Sequence, residues 1–267
     1  MYTFRFSKSA IILTIWGITV LSQIFITAGA EVARKTEPAL SISEIIEENL
    51  LPELTGENLS PELADAYFTI SEISDEIFKR IEGKTYGEGC PIPREDLRYL
   101  TVLHQDLDGN TCVGEMIVNY HIAEDVLDIM KELYRAGYPI EKIRLADKYN
   151  ADDEASMEDN NTSAFNFRLI TGSSKVSKHA LGLAVDINPL YNPYIKYTDS
   201  GALLEPLTAG AYLDREADFP YKIMPDDLCC QLFALYGFEW GGYWQSCKDY
   251  QHFETPDALI REWYPYW

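Results

Sequence analysis

The stretch that most constrains this chain is Ser177-Lys178-His179-Ala180-Leu181-Gly182-Leu183-Ala184-Val185-Asp186-Ile187-Asn188. Its second half alternates like a strand: Leu183, Val185 and Ile187 share one apolar face, and Ala184 and Asp186 share the other. His179 and Asp186 are good metal ligands seven positions apart. In a straight strand they would be separated by roughly 23 Å and would point to opposite faces. They can meet only if the chain bends between them, and Gly182, with small Ala180 nearby, makes the bend accessible. Ala184 leaves room beside Asp186. A buried carboxylate needs a cation or several donors, so the stretch is either half of a metal site or a strand with a hydrogen-bonded Asp.

Near the other end, Asp249-Tyr250-Gln251-His252-Phe253-Glu254 holds a second acid–imidazole pair. A spacing of three places both on one side of a helical turn or a bulged strand. Two His, one carboxylate and an open fourth position form a catalytic zinc set, and a second carboxylate nearby suits a general base. The chain has no HExxH helix motif and no CxxC pair, which argues against a helix-borne protease site and a thiolate site. His104 and His121, which lack such company, are read as structural or exposed.

The pattern Ser177-x-His179-x-x-Gly182-x-Ala184-x-Asp186 followed by Asp249-x-x-His252 resembles the M15 family of zinc peptidases, loosely from Gly87 to Glu254. That family comprises D-alanyl-D-alanine carboxypeptidases, dipeptidases and related L-alanyl-D-glutamate endopeptidases that cut bacterial cell-wall peptides. The resemblance implies one Zn2+ per chain held by His179, Asp186 and His252, with Asp249 as the base. It also implies an α+β fold in which helices pack on one side of a mostly antiparallel sheet. Family members often carry an Arg in a Gly-Tyr-Arg segment, whereas the comparable stretch here is Asp147-Lys148-Tyr149-Asn150. Arg168 is the substitute for holding a substrate carboxylate or an oxyanion, against the plainer reading of a surface salt bridge. Ser177 either orients the site or ends a loop. Tyr191, Trp240, Tyr243 and Trp244 are expected to wall the cleft or to fill core.

Composition bounds the setting. A formal charge of −21 over 267 residues excludes a nucleic-acid partner, which would need Lys and Arg clusters. Residues 1–30 read as a signal peptide: basic Arg5 and Lys8, an apolar run from Ala10 to Ile26, then Ala28 and Ala30 at the cleavage positions. An uncleaved anchor is the rival, and would be the chain's only contact with a membrane. The mature chain would carry −23, two positive charges fewer. The expected organisation is this leader, then a tether and helices over 31–85, then a zinc peptidase domain over 86–267. The expected location is secreted or cell-envelope, with peptidoglycan stem peptides as partner. Two rivals are a wall-binding module that keeps zinc as a structural clip, and a zinc amidohydrolase on another substrate. Five Cys permit one or two disulfides outside the cytoplasm.

Local patterns predict the remaining elements. Ser60-Pro61 opens a helix continued by Ile70, Ile73, Ile77 and Ile81. Strands over 97–107 and 111–118 join at Asp108-Gly109 in a hairpin, which explains Asp106, Asp108 and Asn110 better than a calcium loop does. A helix runs from Ile122 to Leu133 and stops at Gly137. Lys142 to Asp147 reads as a strand. Asn150 to Ser163 reads as an acidic loop and possible substrate rim, with glycosylation acceptors at Asn160 and Asn161. Tyr197 to Phe219 reads as a surface excursion. Pro225-Asp226-Asp227 starts a helix whose apolar positions include Leu228, Leu232 and Leu235 and which closes at Gly237; residues 238–240 read as a strand, and Gly241 to Trp244 as an aromatic turn. Thr255 caps a last helix.

Overall fold

The computed structural model describes residues 61–170, 175–199 and 201–267. The expected leader, most of the tether and the Ser60 cap lie outside the described residues. No helix among those described is long and apolar enough to cross a membrane.

The strongest local signals fold as expected. β2 (Leu97–Gln105) and β3 (Thr111–Asn119) form the long antiparallel hairpin. Asp106 ties its turn by accepting N–H bonds from Asp108 (3.0 Å) and Asn110 (2.9 Å). The helix after it, Ala123–Arg135, buries Val126, Ile129, Met130 and Leu133 along one face.

Residues 61–81 differ from the expected single helix. A short α1 (Pro61–Asp65) ends, β1 (Thr69–Glu72) pairs antiparallel with β2, and α2 (Asp75–Ile81) starts afresh. Ser74 caps α2 by accepting from Ile77 N–H at 3.2 Å. The isoleucine spacing serves a strand and a helix in turn, because the unpaired edge of β2 takes up Ile70 opposite Leu100. Arg80 then forks onto Glu115 of β3 (2.7 and 3.1 Å), and Tyr99 donates to the same carboxylate at 2.6 Å. Asp147 is buried beside this cluster, 3.4 Å from Arg80, so its neighbourhood is a structural joint. The core therefore extends N-terminal of residue 86: Ile73 and Ile81 are buried in the same cluster as Leu100.

The helix at Ala123–Arg135, α3, packs on β2. Beyond it, β4 (Lys142–Ile143) is shorter than expected and pairs parallel with β5 (Asn161–Thr162). The acidic stretch is not all loop. It contains α4 (Asp153–Glu158), capped by Asp152 on Ala155 N–H at 3.1 Å. Asn160 and Asn161 are buried, which closes both acceptor sites to glycosylation in the folded chain.

Two further small antiparallel sheets complete the fold. One orders β6 (Ala184–Asp186), β11 (His252–Glu254) and β9 (Glu239–Trp240) as β6-β11-β9. The other orders β7 (Tyr194–Thr198), β8 (Gly201–Glu205) and β10 (Lys248–Asp249) as β10-β7-β8. The expected excursion thus holds a hairpin, which uses its edge to extend β10. The fold is α+β, but its sheet is divided into three antiparallel pieces and one parallel pair. In α5 (Leu228–Leu235), Cys229, Cys230 and Phe233 face the core, while Leu228 and Leu235 face outward. The last helix, α6 (Asp257–Trp263), has Pro256 at its cap position; Thr255 is buried and its hydroxyl caps nothing. All five Cys are free thiols, so neither permitted disulfide forms.

Candidate metal centre

The bend between His179 and Asp186 is built from a short 3-10 helix, Lys178–Leu181. Ser177 caps it, accepting His179 N–H at 3.3 Å. Gly182 ends it in the left-handed region at φ 65°, where its N–H donates to the His179 carbonyl at 2.9 Å. A Cβ on Gly182 would fall 2.8 Å from the backbone nitrogen of Asn119. Both the dihedral and the contact demand glycine.

After the turn, β6 runs between two partners. Ser163 exchanges backbone hydrogen bonds with Asp186 on one side (3.0 and 2.9 Å). On the other, antiparallel pairing with β11 sets His252 opposite Asp186. Three side chains remote in sequence thereby converge. His179 Nε2 lies 3.1 Å from Asp186 Oδ2, and His252 Nδ1 lies 2.9 Å from Asp186 Oδ1. The two ring nitrogens are 3.2 Å apart. All three residues are buried, with ligand atoms within 4.8 Å of one another.

The atoms turned away from this point are also engaged. His179 Nδ1–H donates to the Ala164 carbonyl at 2.6 Å, which leaves Nε2 to face inward. His252 Nε2–H donates to Glu254 Oε2 at 3.0 Å. Lys178 holds Glu254 at 2.9 Å and also reaches Asp257 at 2.7 Å. A carboxylate behind a ligating His fixes the ring and raises its basicity. Glu254 and Lys178 were not picked out from sequence, although Glu254 sits two positions from His252 and so on the same strand face.

The charges follow this geometry. Burial pushes the Asp186 carboxyl upward, but His179 and His252 outweigh it and hold it well below the usual range. For His252, burial disfavours the charged ring, yet Asp186 and Glu254 on its two sides raise it to about 10. Two imidazole nitrogens and a carboxylate oxygen, pre-oriented and desolvated, are a donor set suited to zinc, and the residues fit the ion.

Asp249 stands beside this cluster on β10, opposite Tyr194. Its Oδ1 is buried without a hydrogen-bond partner. Burial raises its pKa to about 7, with Asp186 and Glu205 pushing the same way against His252 and Arg168. Gly241 permits its position: a Cβ there would lie 2.7 Å from both Asp249 Cβ and Asp249 O.

A cavity of about 650 Å³ opens onto these groups, lined by His179, Asp186, Asp249, His252 and Glu254. Arg168 is in its wall, where it combines both readings: Nη2 pairs with Asp153 at 2.8 Å, while buried Nε has no partner. Burial works against its charge, but Asp153, Asp186, Glu205 and Asp249 raise its pKa. Asp153 and Met157 bring α4 to the rim.

Of the four aromatics expected to wall the cleft, Trp244 does, with its ring 5.5 Å from that of His252. Tyr243 does not line this cavity. It is exposed, packs edge-on against Trp240 and borders a second, apolar hollow. Trp240 is core, donating to the Tyr250 carbonyl at 2.9 Å. Tyr191 packs against Tyr212 and Tyr221. The remaining two His are structural. His104 is buried against the Ile140 carbonyl at 2.7 Å, and His121 stacks on Trp263.

Residues 171–255 match the family model described as D-alanyl-D-alanine carboxypeptidase, of the M15 peptidases. No curated protein and no solved structure matches the chain.

Proposed function

We propose, from the match of residues 171–255 to a model of the M15 peptidases, that the chain is an exported zinc metallopeptidase acting on amide bonds of peptidoglycan stem peptides. One observation carries the catalytic reading. His179 Nε2, Asp186 and His252 Nδ1 converge in the wall of a cavity also lined by Asp249, one of whose carboxylate oxygens is buried without a partner. A structural zinc clip would enclose its ligands and have no use for such a group.

Zinc held by His179, Asp186 and His252 would supply a Lewis acid and make water acidic enough to ionise near neutral pH. Asp249, with its pKa raised to about 7, takes the proton of the attacking water and returns it to the departing amine nitrogen. Arg168, in the cavity wall, supplies positive charge to a substrate carboxylate or a developing oxyanion, while Asp153 holds the guanidinium in place. Ser177 orients the site through the His179 backbone, and Trp244 covers one wall. Export rests on the basic-then-apolar pattern of residues 1–30, and the substrate class on the family resemblance.

The test is digestion of purified muropeptides by the mature chain, read by mass spectrometry, with and without a chelator. Loss of a terminal residue or a cut within the stem, abolished by the chelator and restored by zinc, supports the reading. Zinc binding without any cleavage would instead support the wall-binding module.

A further inference from the structure

Gln251 lies between the base and the third ligand in sequence, and neither its burial nor its contacts are explained by scaffold alone. The residue is only 2% exposed, yet it lines the catalytic cavity. Its Oε1 is buried without a hydrogen-bond partner. Its backbone acts separately from the side chain. The Gln251 carbonyl accepts Ile187 N–H at 2.9 Å and continues the pairing that aligns His252 with Asp186.

Among the described residues, six buried side-chain atoms lack partners, and three of them belong to residues lining this one cavity: Arg168 Nε, Asp249 Oδ1 and Gln251 Oε1. An unpaired buried polar group is costly, and beside a cavity its missing partner is supplied by what fills the cavity, water or a bound ligand. Arg168 and Asp249 already have uses in the proposed reaction. Gln251 has none.

We propose that Gln251 is a substrate-binding residue whose carboxamide hydrogen-bonds a main-chain amide of the bound peptide. The carboxamide offers one acceptor and two donors, and a peptide unit offers the complementary N–H and C=O. Gln251, Asp249 and His252 line the same cavity, which puts that contact near the proposed site of cleavage. This inference rests on the peptidase reading. It adds that the cavity holds a substrate backbone by a neutral amide pair as well as by charge.

The experiment compares Gln251→Met, which keeps length and loses hydrogen bonding, and Gln251→Ala with the wild-type chain. Zinc affinity and thermal midpoint are measured for each, together with kcat and KM on a peptide ending in D-alanyl-D-alanine. Binding of the same peptide is measured by calorimetry in a zinc-loaded Asp249→Asn background. The expected result is a rise of roughly tenfold or more in KM and Kd, with kcat less affected and zinc affinity within about twofold. Peptide KM and Kd within about twofold of wild type would overturn the proposal. So would loss of zinc affinity or of folding in both variants, since the residue would then be scaffold. Peptide bound but never cut, with binding lost in Gln251→Met, would sink the peptidase reading and leave this inference standing. A wild-type chain that neither binds nor cuts the peptide removes both.

Discussion

Asp186 Oδ1 lies 2.9 Å from His252 Nδ1, across the antiparallel pairing that sets these two residues opposite each other on β6 and β11. The two candidate ligands come from segments 66 positions apart in the chain. Sheet register, a backbone property, therefore decides the spacing of the candidate metal donors. The same ring has Glu254 at 3.0 Å on its other nitrogen, so without a metal it is held as an imidazolium between two carboxylates.

Zinc binding is accordingly expected to expel a proton. His252 must release the proton on Nδ1 before that nitrogen can act as a ligand, and its pKa without metal is raised to about 10. Apparent zinc affinity should rise roughly tenfold per pH unit between about pH 6 and 8. Calorimetry in buffers of different ionisation enthalpy should show about one proton released at pH 7. Metal-free stability follows the opposite slope. The folded pKa of His252 exceeds its ordinary 6.5, so its contribution is complete below pH 6.5 and is lost as pH rises through about 10. No proton release at neutral pH would contradict this arrangement.

Glu254→Gln should weaken zinc binding about 10- to 100-fold, because the carboxylate behind His252 then no longer fixes the ring or raises its basicity. Lys178→Met should have a smaller effect in the same direction, since it loosens Glu254 from its 2.9 Å ion pair. Competition with a chromogenic chelator measures both. Affinities equal to wild type would show that Glu254 is a passive neighbour.

Gly241→Ala tests how tightly Asp249, the proposed base, is positioned. The new Cβ would need space already taken by Asp249 Cβ and O, each 2.7 Å away, so β10 must move. A displacement on the order of 1 Å in a catalytic group can cost about 10²-fold. The expected outcome is kcat lowered roughly 10- to 100-fold with zinc affinity little changed. Steady-state kinetics beside a zinc titration separates this from a general loss of fold.

Much of the candidate site could be read from local pattern, for a physical reason. The parity of a seven-residue spacing forbids a straight strand, so Gly182 had to bend, and the structure puts it at φ 65°. The β2–β3 hairpin and α3 were equally legible, because Asp-Gly turns and a 3.6-residue apolar period act over a few residues. What escaped depends on distant pairing. Ile70 and Ile73 carried a helical spacing, but the free edge of β2 drew Thr69–Glu72 into a strand. Arg168 could be named as a candidate from sequence, whereas its anchor Asp153 comes from a helix in a segment too polar to announce one. Glu254 and Gln251 gained meaning only when β11 was set against β6.

The most direct measurement is the zinc content and peptide cleavage of Asp249→Asn beside the wild-type chain. The substitution removes the carboxylate and keeps the size, leaving His179, Asp186 and His252 untouched. Asn cannot ionise, so it should also stabilise the metal-free fold. Asp249 has a folded pKa raised from 3.8 to about 7, so its favourable contribution is complete below pH 3.8 and lost as pH rises through about 7. Thermal midpoints at pH 8 should therefore rise by a few degrees. The expected result is one zinc per chain in both proteins and cleavage lowered by about 10²- to 10⁴-fold in the variant. Cleavage within about twofold of wild type, with zinc in place, would contradict it.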